Sequence, residues 1–308
     1  MNWAKQHGRA LTGLGVYLLI WGAATAVLAA GRPDTVSDAV AVFVIMGVVF
    51  SGLAWLLTLG EAAPAVEVKR PGLELTAVLG YLALYAVLFT GWGLSAFHAA
   101  FAPGRGEAAL LVLFKLVVHV VLPALLLLAL GAQIRPLIQT RIRTRGFWLC
   151  LTILGAAVVA VICVISDSLK DLAGLHAQAP TLALAIGGAF VWMAIEAGLC
   201  EEFLFRAVLQ TRLAAVLQSE AAAVVIGALI FGLVHVPGLW LRSGDAVSGH
   251  SKNLIEVIAY AIAVLSPAGL FLGFVWARTR SLLLVVLIHA LVDVLPNTAE
   301  FAKTWLGL

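Results

Sequence analysis

The chain has 308 residues, of which 63% are hydrophobic and 11% are charged. Soluble domains carry roughly 25% charged residues, so this apolar surplus cannot be buried in one soluble core and must face lipid. The net charge of +3 is too small and too scattered for a nucleic-acid-binding surface. The three cysteines form no CxxC pair and support neither a disulfide framework nor a thiolate zinc site: Cys150, Cys163 and Cys200.

Apolar runs long enough to cross a bilayer recur along the whole chain. They predict an all-α, polytopic transmembrane bundle of eight or nine helices, near residues 10–30, 39–60, 73–101, 107–131, 147–165, 181–217, 221–241, 254–276 and 281–296. The first run exceeds the apolar core of a signal peptide, so we interpret it as a membrane span. The ninth helix is short, and we expect Pro296 to limit it.

Lysine and arginine are distributed unevenly between the two ends of these spans. With the N-terminus inside, eleven lie at cytoplasmic ends (Lys5, Arg9 and the four of the Arg135–Arg145 loop among them) and six at outer ends, Arg242 included. By the positive-inside rule we predict a cytoplasmic N-terminus. The same basic loop is also compatible with a patch that binds lipid headgroups. Arginine outnumbers lysine 13 to 6, which favours a GC-rich bacterial genome and hence a bacterial inner membrane.

Ionisable side chains inside the predicted spans are informative, because each costs about 2.5–3.5 kcal/mol to insert. Lys115 and His119 lie one turn apart on the fourth helix, and we interpret them as structural, through interhelical hydrogen bonds or snorkelling. A denser set lies on three later helices. The sixth helix carries Glu196, Glu201, Glu202 and Arg206, the seventh carries His235, and the ninth carries His289 and Asp293.

Counting residues from the predicted turns places these side chains at comparable depths. The turn between the sixth and seventh helices centres near Ser219, 18 residues after Glu201 and 16 before His235. These two residues should therefore face each other across an antiparallel hairpin. The turn before the ninth helix centres near Arg280, and His289 and Asp293, spaced i and i+4, share one face beyond it.

Glu202 and Arg206 are also spaced i and i+4, which predicts an ion pair within the sixth helix. Such a pair would neutralise Glu202 and leave Glu201 available for chemistry. The alternative is a buried ion-pair network that only sets the register of the helices.

Three short motifs carry a resemblance to a known family. Glu201–Arg206 (EEFLFR), Phe231–His235 (FGLVH) and His289–Asp293 (HALVD) resemble the EExxxR, FxxxH and HxxxN or HxxxD motifs of the CPBP family, which comprises CAAX prenyl endopeptidases and bacteriocin-processing enzymes. The resemblance covers about residues 180–296. It divides the chain into N-terminal membrane helices of unknown role, 1–175, and a catalytic core, 176–308.

The resemblance implies an intramembrane endopeptidase that opens towards the cytoplasm and cuts a membrane-tethered protein or peptide. It implies that Glu201 is general base to a water molecule, helped by His235, while His289 and residue 293 hold the water or a metal ion, or stabilise the oxyanion. Because Asp293 replaces an Asn, and an ionised Asp donates no hydrogen bond, an oxyanion role for it is weakened. The replacement favours either one divalent metal ion such as zinc, held by Glu201, His235, His289 and Asp293, or a protonated Asp293.

Two other function classes are compatible with ionisable residues in a membrane. A proton-coupled transporter also uses intramembrane Glu, His and Asp, but the chain has no halves related by a hydropathy repeat. A catalytically silent scaffold or immunity protein of the same fold is the other alternative. The chain lacks the HExxH, GxSxG and GxGD signatures of other proteases. In a bacterium, a leader peptide or a C-terminal membrane sorting tail is a better substrate candidate than a prenylated protein.

Overall fold

A computed structural model describes residues 3–241 and 248–308, with side chains described from residue 11 onward. Lys5, Arg9 and Arg242, counted in the charge bias above, lie outside the described side chains. The described chain contains nine long helices: α1 Trp3–Gly31, α2 Pro33–Leu57, α3 Pro71–Ala100, α4 Arg105–Ala129, α5 Arg145–Ile165, α6 Ala179–Leu217, α7 Glu220–Leu241, α8 Leu254–Thr279 and α9 Leu282–Leu306. All nine include an apolar stretch long enough to cross a membrane, which confirms the predicted all-α transmembrane bundle.

The last three helices form the centre of the bundle. In their apolar stretches 50%, 56% and 56% of the residues are buried, against 17% in α1 and in α2. The outer helices instead expose large apolar side chains, such as Leu19, Trp92 and Val164, which lipid tails can solvate. One core cluster nevertheless joins both halves of the chain; the rings of Phe50 and Phe271, for example, lie 5.4 Å apart. The predicted regions 1–175 and 176–308 are therefore packed together around a shared core.

Glycines allow two pairs of central helices to approach closely. A Cβ atom at Gly198 of α6 would lie 2.8 Å from the carbonyl oxygen of Val286 on α9. A Cβ atom at Gly232 of α7 would overlap the carbonyl oxygen of Ala261 on α8. Small residues at such crossings let helix backbones pack directly against each other in a membrane. The crossing at Gly198 lies about one turn before the carboxylates of α6 and the histidine of α9, so it brings them into contact.

The two predicted turns between central helices lie where the residue count placed them. Ser219 caps the start of α7, and Ser281 caps the start of α9. The Arg280 guanidinium donates to the Thr211 hydroxyl at 3.2 Å and pairs with the Glu220 carboxylate. This arginine therefore ties the two turns together at one end of the bundle and sets the relative depths of α6, α7 and α9.

The expectation that Pro296 limits the ninth helix is wrong. The helix continues through Pro296 to Leu306. A proline inside a helix removes one backbone donor and disturbs the carbonyl groups of the preceding turn. Here side chains bond to carbonyl groups of that turn: the Asn297 amide donates to the Asp293 carbonyl at 2.8 Å, and the Thr298 hydroxyl donates one turn back at 2.7 Å. These bonds allow the helix to continue.

Unlike Pro296, Pro237 interrupts the helix in which it lies. Helix α7 consists of two parts, Glu220–Leu233 and Val236–Leu241, with a break at residues 234 and 235. Pro237 has no N–H to offer the carbonyl of the preceding turn, and its ring crowds that turn. The break therefore places His235 at a kink in the helix.

Candidate active site

A cavity of about 130 Å³ lies between α3, α4, α6 and α7, and both Glu201 and His235 line it. The two residues therefore face a common space, in agreement with the depth prediction. His235 is held by its Nδ1–H, which donates to the carbonyl oxygen of Phe231 at 2.7 Å. In the neutral ring this bond leaves Nε2 as the acceptor nitrogen. The cavity thus combines a carboxylate with an imidazole whose tautomer is set by the backbone.

His289 links the acidic residues of α6 and α9. Its Nδ1–H donates to Glu202 Oε1 at 2.7 Å, and its Nε2 lies 3.2 Å from Asp293 Oδ2. The same Nε2 lies 4.0 Å from Glu201 Oε2. The structure therefore brings these four residues together, and Glu201 belongs both to this network and to the cavity.

The predicted ion pair within α6 is formed. Glu202 Oε2 lies 3.1 Å from Arg206 Nε, and both side chains are buried, with exposed fractions of 0% and 2%. Glu202 Oε2 and two guanidinium nitrogens have no aligned hydrogen-bond partner among the described residues, so the pair acts through charge proximity. The guanidinium also stacks over the Phe231 ring at 4.6 Å, which adds a cation–π contact.

The four residues predicted to hold a metal ion do not form a complete ligand set. Across residues 3–241 and 248–308, no group of three or more His, Cys, Asp or Glu side chains is placed to hold a metal ion. Catalytic zinc requires three protein ligands around one point. His289 instead directs both ring nitrogens towards carboxylates. This arrangement does not fit a catalytic zinc site.

The first half of the chain contributes to the cavity, which the motifs alone did not indicate. Tyr85 and Thr90 of α3 and Lys115 and His119 of α4 all line it. The Tyr85 hydroxyl lies 3.0 Å from His119 Nε2, and Lys115 Nζ lies 3.2 Å from Glu196 Oε1 of α6. The interhelical bonds expected of Lys115 and His119 are present, but the two side chains also border Glu201. In the sequence, Lys115 and His119 could be recognised as unusual because they are polar groups inside an apolar helix. Nothing in the sequence distinguished Tyr85.

The fold and the site together define an integral membrane protein with a polar, partly enclosed site of carboxylates and histidines between its central helices. Residues 183–295 match the model of the family described as type II CAAX prenyl endopeptidase, Rce1-like. No curated protein and no solved structure matches the chain. The segment from α6 to α9 is therefore a domain of the Rce1-like CAAX endopeptidase family, and five membrane helices that the family model does not cover precede it.

The buried pair in α6 predicts coupled stabilities. Arg206→Met removes the cation beside buried Glu202, which keeps only its hydrogen bond from His289, and should lower the free energy of unfolding in detergent by about 3–5 kcal/mol. The double variant Glu202→Gln, Arg206→Met should recover much of this loss, because no lone charge remains. A double-mutant cycle on unfolding in detergent measures the coupling. The exposed pair Asp167–Lys170, replaced in the same way, should show none. Additive losses at Glu202 and Arg206 would show that they do not pair.

Proposed function

We propose that the protein is an intramembrane endopeptidase in which Glu201 and His235 activate a water molecule to hydrolyse a peptide bond of a membrane-tethered protein or peptide. The observation that carries this proposal is the cavity that the two residues share inside an apolar bundle. General-base catalysis needs a base within reach of a water and of the carbonyl that the water attacks. A volume of about 130 Å³ accommodates a water molecule, whose share of liquid volume is about 30 Å³, together with a peptide group.

The proposed reaction uses Glu201 twice. Glu201 takes a proton from the water while His235 Nε2 orients it, the water oxygen bonds to the carbonyl carbon, and the π electron pair moves to the carbonyl oxygen. The carbon–nitrogen bond then breaks as Glu201 returns the proton to the leaving amine. Glu201 suits this role because it forms no ion pair with lysine or arginine among the described residues; its nearest basic neighbour is His289, 4.0 Å away.

The remaining motif residues hold this arrangement in place. Glu202 and Asp293 restrain His289 from both sides, so that its Nε2 stays beside Glu201. Arg206 compensates the charge of buried Glu202. Asp293, with one oxygen already directed at His289, supports the imidazole.

Glu201→Gln should abolish cleavage, because the amide cannot accept the proton from water. Loss of general-base catalysis lowers rates about 10²–10⁴-fold. The measurement is cleavage of a membrane-tethered peptide by the purified protein in detergent or liposomes. Asp171→Asn removes an exposed carboxylate and should cleave like the wild type. Near wild-type cleavage by well-folded Glu201→Gln would contradict the assignment of the base.

The incomplete ligand set predicts that cleavage does not require a bound zinc ion. Purified protein treated with a strong chelator, and shown by metal analysis to hold less than one divalent ion per ten chains or so, should retain most of its activity. A loss of activity that added zinc restores would show that Glu201, His235, His289 and Asp293 rearrange around a metal in the working enzyme.

A second cavity supports a proposal for the side of the membrane on which the site opens. This cavity, about 320 Å³, lies between the α3–α4 loop, the middle of α6 and the end of α9, and it is lined by Glu196 and Asn297. Each of these lies about one helical turn from Glu201 or Asp293, so the cavity approaches the site. The basic loop Arg135–Arg145 follows α4 and lies at the opposite end of the bundle.

The positive-inside rule places this basic loop in the cytoplasm, and we infer that the larger cavity opens on the outer side. The cytoplasmic opening implied by the resemblance requires the reverse orientation, so only one of the two expectations holds. The loop charges belong to this chain itself and act directly on its insertion, so we favour the outer opening.

Cysteine labelling tests the orientation. In a background without Cys150, Cys163 and Cys200, Ala102→Cys marks the α3–α4 loop and Arg143→Cys marks the α4–α5 loop. A membrane-impermeant maleimide should label Ala102→Cys in right-side-out vesicles and Arg143→Cys only in inside-out vesicles. The opposite pattern would place the larger cavity on the cytoplasmic side and overturn the predicted N-terminal orientation.

A further inference from the structure

The proposed hydrolysis leaves one requirement unmet by the motif residues. Negative charge develops on the carbonyl oxygen as water attacks, and a positioned hydrogen-bond donor stabilises it. Asp293 stands where an Asn could supply an amide donor, but an ionised carboxylate has no proton to donate. One of its oxygens is also directed at His289, at 3.2 Å. Among the described residues, neither Asp293 nor His289 lines the cavity that Glu201 and His235 share, so the donor must be another residue of that cavity.

The two hydroxyl groups of the cavity are already committed. The Thr90 hydroxyl donates to carbonyl oxygens of α3 and α7, at 2.7 and 3.1 Å. Nδ1 of His119 lies 2.8 Å from the Lys115 carbonyl oxygen and must be its N–H donor. In the neutral ring Nε2 is then an acceptor, so the Tyr85 hydroxyl donates its single proton to it at 3.0 Å.

Lys115 is the remaining donor that lines the cavity with Glu201 and His235. Its ammonium group has three N–H bonds, and one is directed at Glu196 Oε1, 3.2 Å away. The side chain is only 17% exposed. Among the described residues Lys115 pairs with Glu196 and not with Glu201, although Lys115 and Glu201 line the same cavity.

We propose that Lys115 is a further catalytic residue, which donates a hydrogen bond to the carbonyl oxygen of the scissile peptide as it becomes an oxyanion. This inference rests on the proposed protease function. The ammonium keeps its proton throughout: the π electron pair moves to the oxygen during attack and returns when the carbon–nitrogen bond breaks. A positive charge in a site shielded from water stabilises such an oxyanion far more than it would in bulk solvent.

Glu196 is the positioning residue for Lys115. Its Oε1 holds the ammonium, and its Oε2 accepts a hydrogen bond from Trp192 Nε1 at 2.6 Å. Because Lys115 lines the smaller cavity and Glu196 lines the larger one, this pair lies between the two. The lysine is thereby held at the point where a peptide from the larger cavity would meet Glu201.

The test is steady-state cleavage of a membrane-tethered peptide by Lys115 variants. Lys115→Met should lower kcat about 10²–10³-fold with little change in KM, as for loss of an oxyanion donor. Lys115→Arg, which keeps charge and donors, should recover part of the rate. A lysine that only stabilised the fold would lower the stability of the protein without this separation of kcat from KM.

Variants of Glu196, the ion-pair partner of Lys115, serve as the control for loss of folding. Glu196→Gln keeps Lys115 and should lower kcat far less than Lys115→Met. The double variant Lys115→Met, Glu196→Gln leaves no lone charge, so it should fold like the wild type yet remain as slow as Lys115→Met. Near wild-type kcat in this double variant, with Glu201→Gln inactive, would overturn the role of Lys115 and leave the protease function standing. A wild-type protein that cleaves no membrane-tethered peptide above background would instead refute the proposed function.

Discussion

The structure depends on one constraint: a charge enclosed in a lipid-embedded bundle must meet an opposite charge, on its own helix or on a neighbouring one. An unpaired charge costs several kcal/mol in such surroundings, whereas a paired one is tolerated. Arg212, near the end of α6, is buried against Glu74 of α3, with 3.1 Å between Nε and Oε2. This pair joins α6 to α3, and Lys115–Glu196 joins α4 to α6. Arg280–Glu220 joins the turn between α8 and α9 to the start of α7.

The same constraint explains why the first half of the chain belongs to the site. Glu196 of α6 needs a cation, and α4 supplies Lys115. The bond from Tyr85 to His119 then holds α3 against α4 at the same depth. These contacts bring two helices outside the family domain to the wall of the cavity that contains Glu201. Pairing with Lys115 compensates the charge of Glu196 inside the membrane, and it also places Lys115 in the wall of the cavity that contains Glu201.

Within the site, Glu201 differs from Glu202 and Asp293 because it has no close hydrogen-bonded or ion-pair partner in the described part of the chain. Glu202 is enclosed by Arg206 and His289, and Asp293 contacts His289. Glu201 is partly exposed to the cavity and has only a 4.0 Å approach to His289. Two adjacent residues of the same type thereby acquire different roles, because successive positions on a helix point in directions about 100° apart.

The sequence by itself determined the class of protein, the nine spans, the two turns at Ser219 and Arg280, and the Glu202–Arg206 pair. These features depend on apolar run length and on spacing along one helix, which are local properties. The family domain could also be predicted, since its three motifs are short and contiguous. The continuation of α9 through Pro296 could not, because it involves side-chain bonds from Asn297 and Thr298 that the proline rule does not include.

Only the tertiary structure decided which helices surround Glu201. The close crossing at Gly198 and the placement of Lys115 beside the cavity both arise from contacts between segments far apart in the chain. The four residues proposed as metal ligands show the same limit: suitable residue types at suitable depths hold a metal ion only if the helices rotate their side chains towards one point, and no such group occurs among the described residues. Depth along a helix can be counted from sequence, but rotation about its axis in a bundle is set by packing against its neighbours.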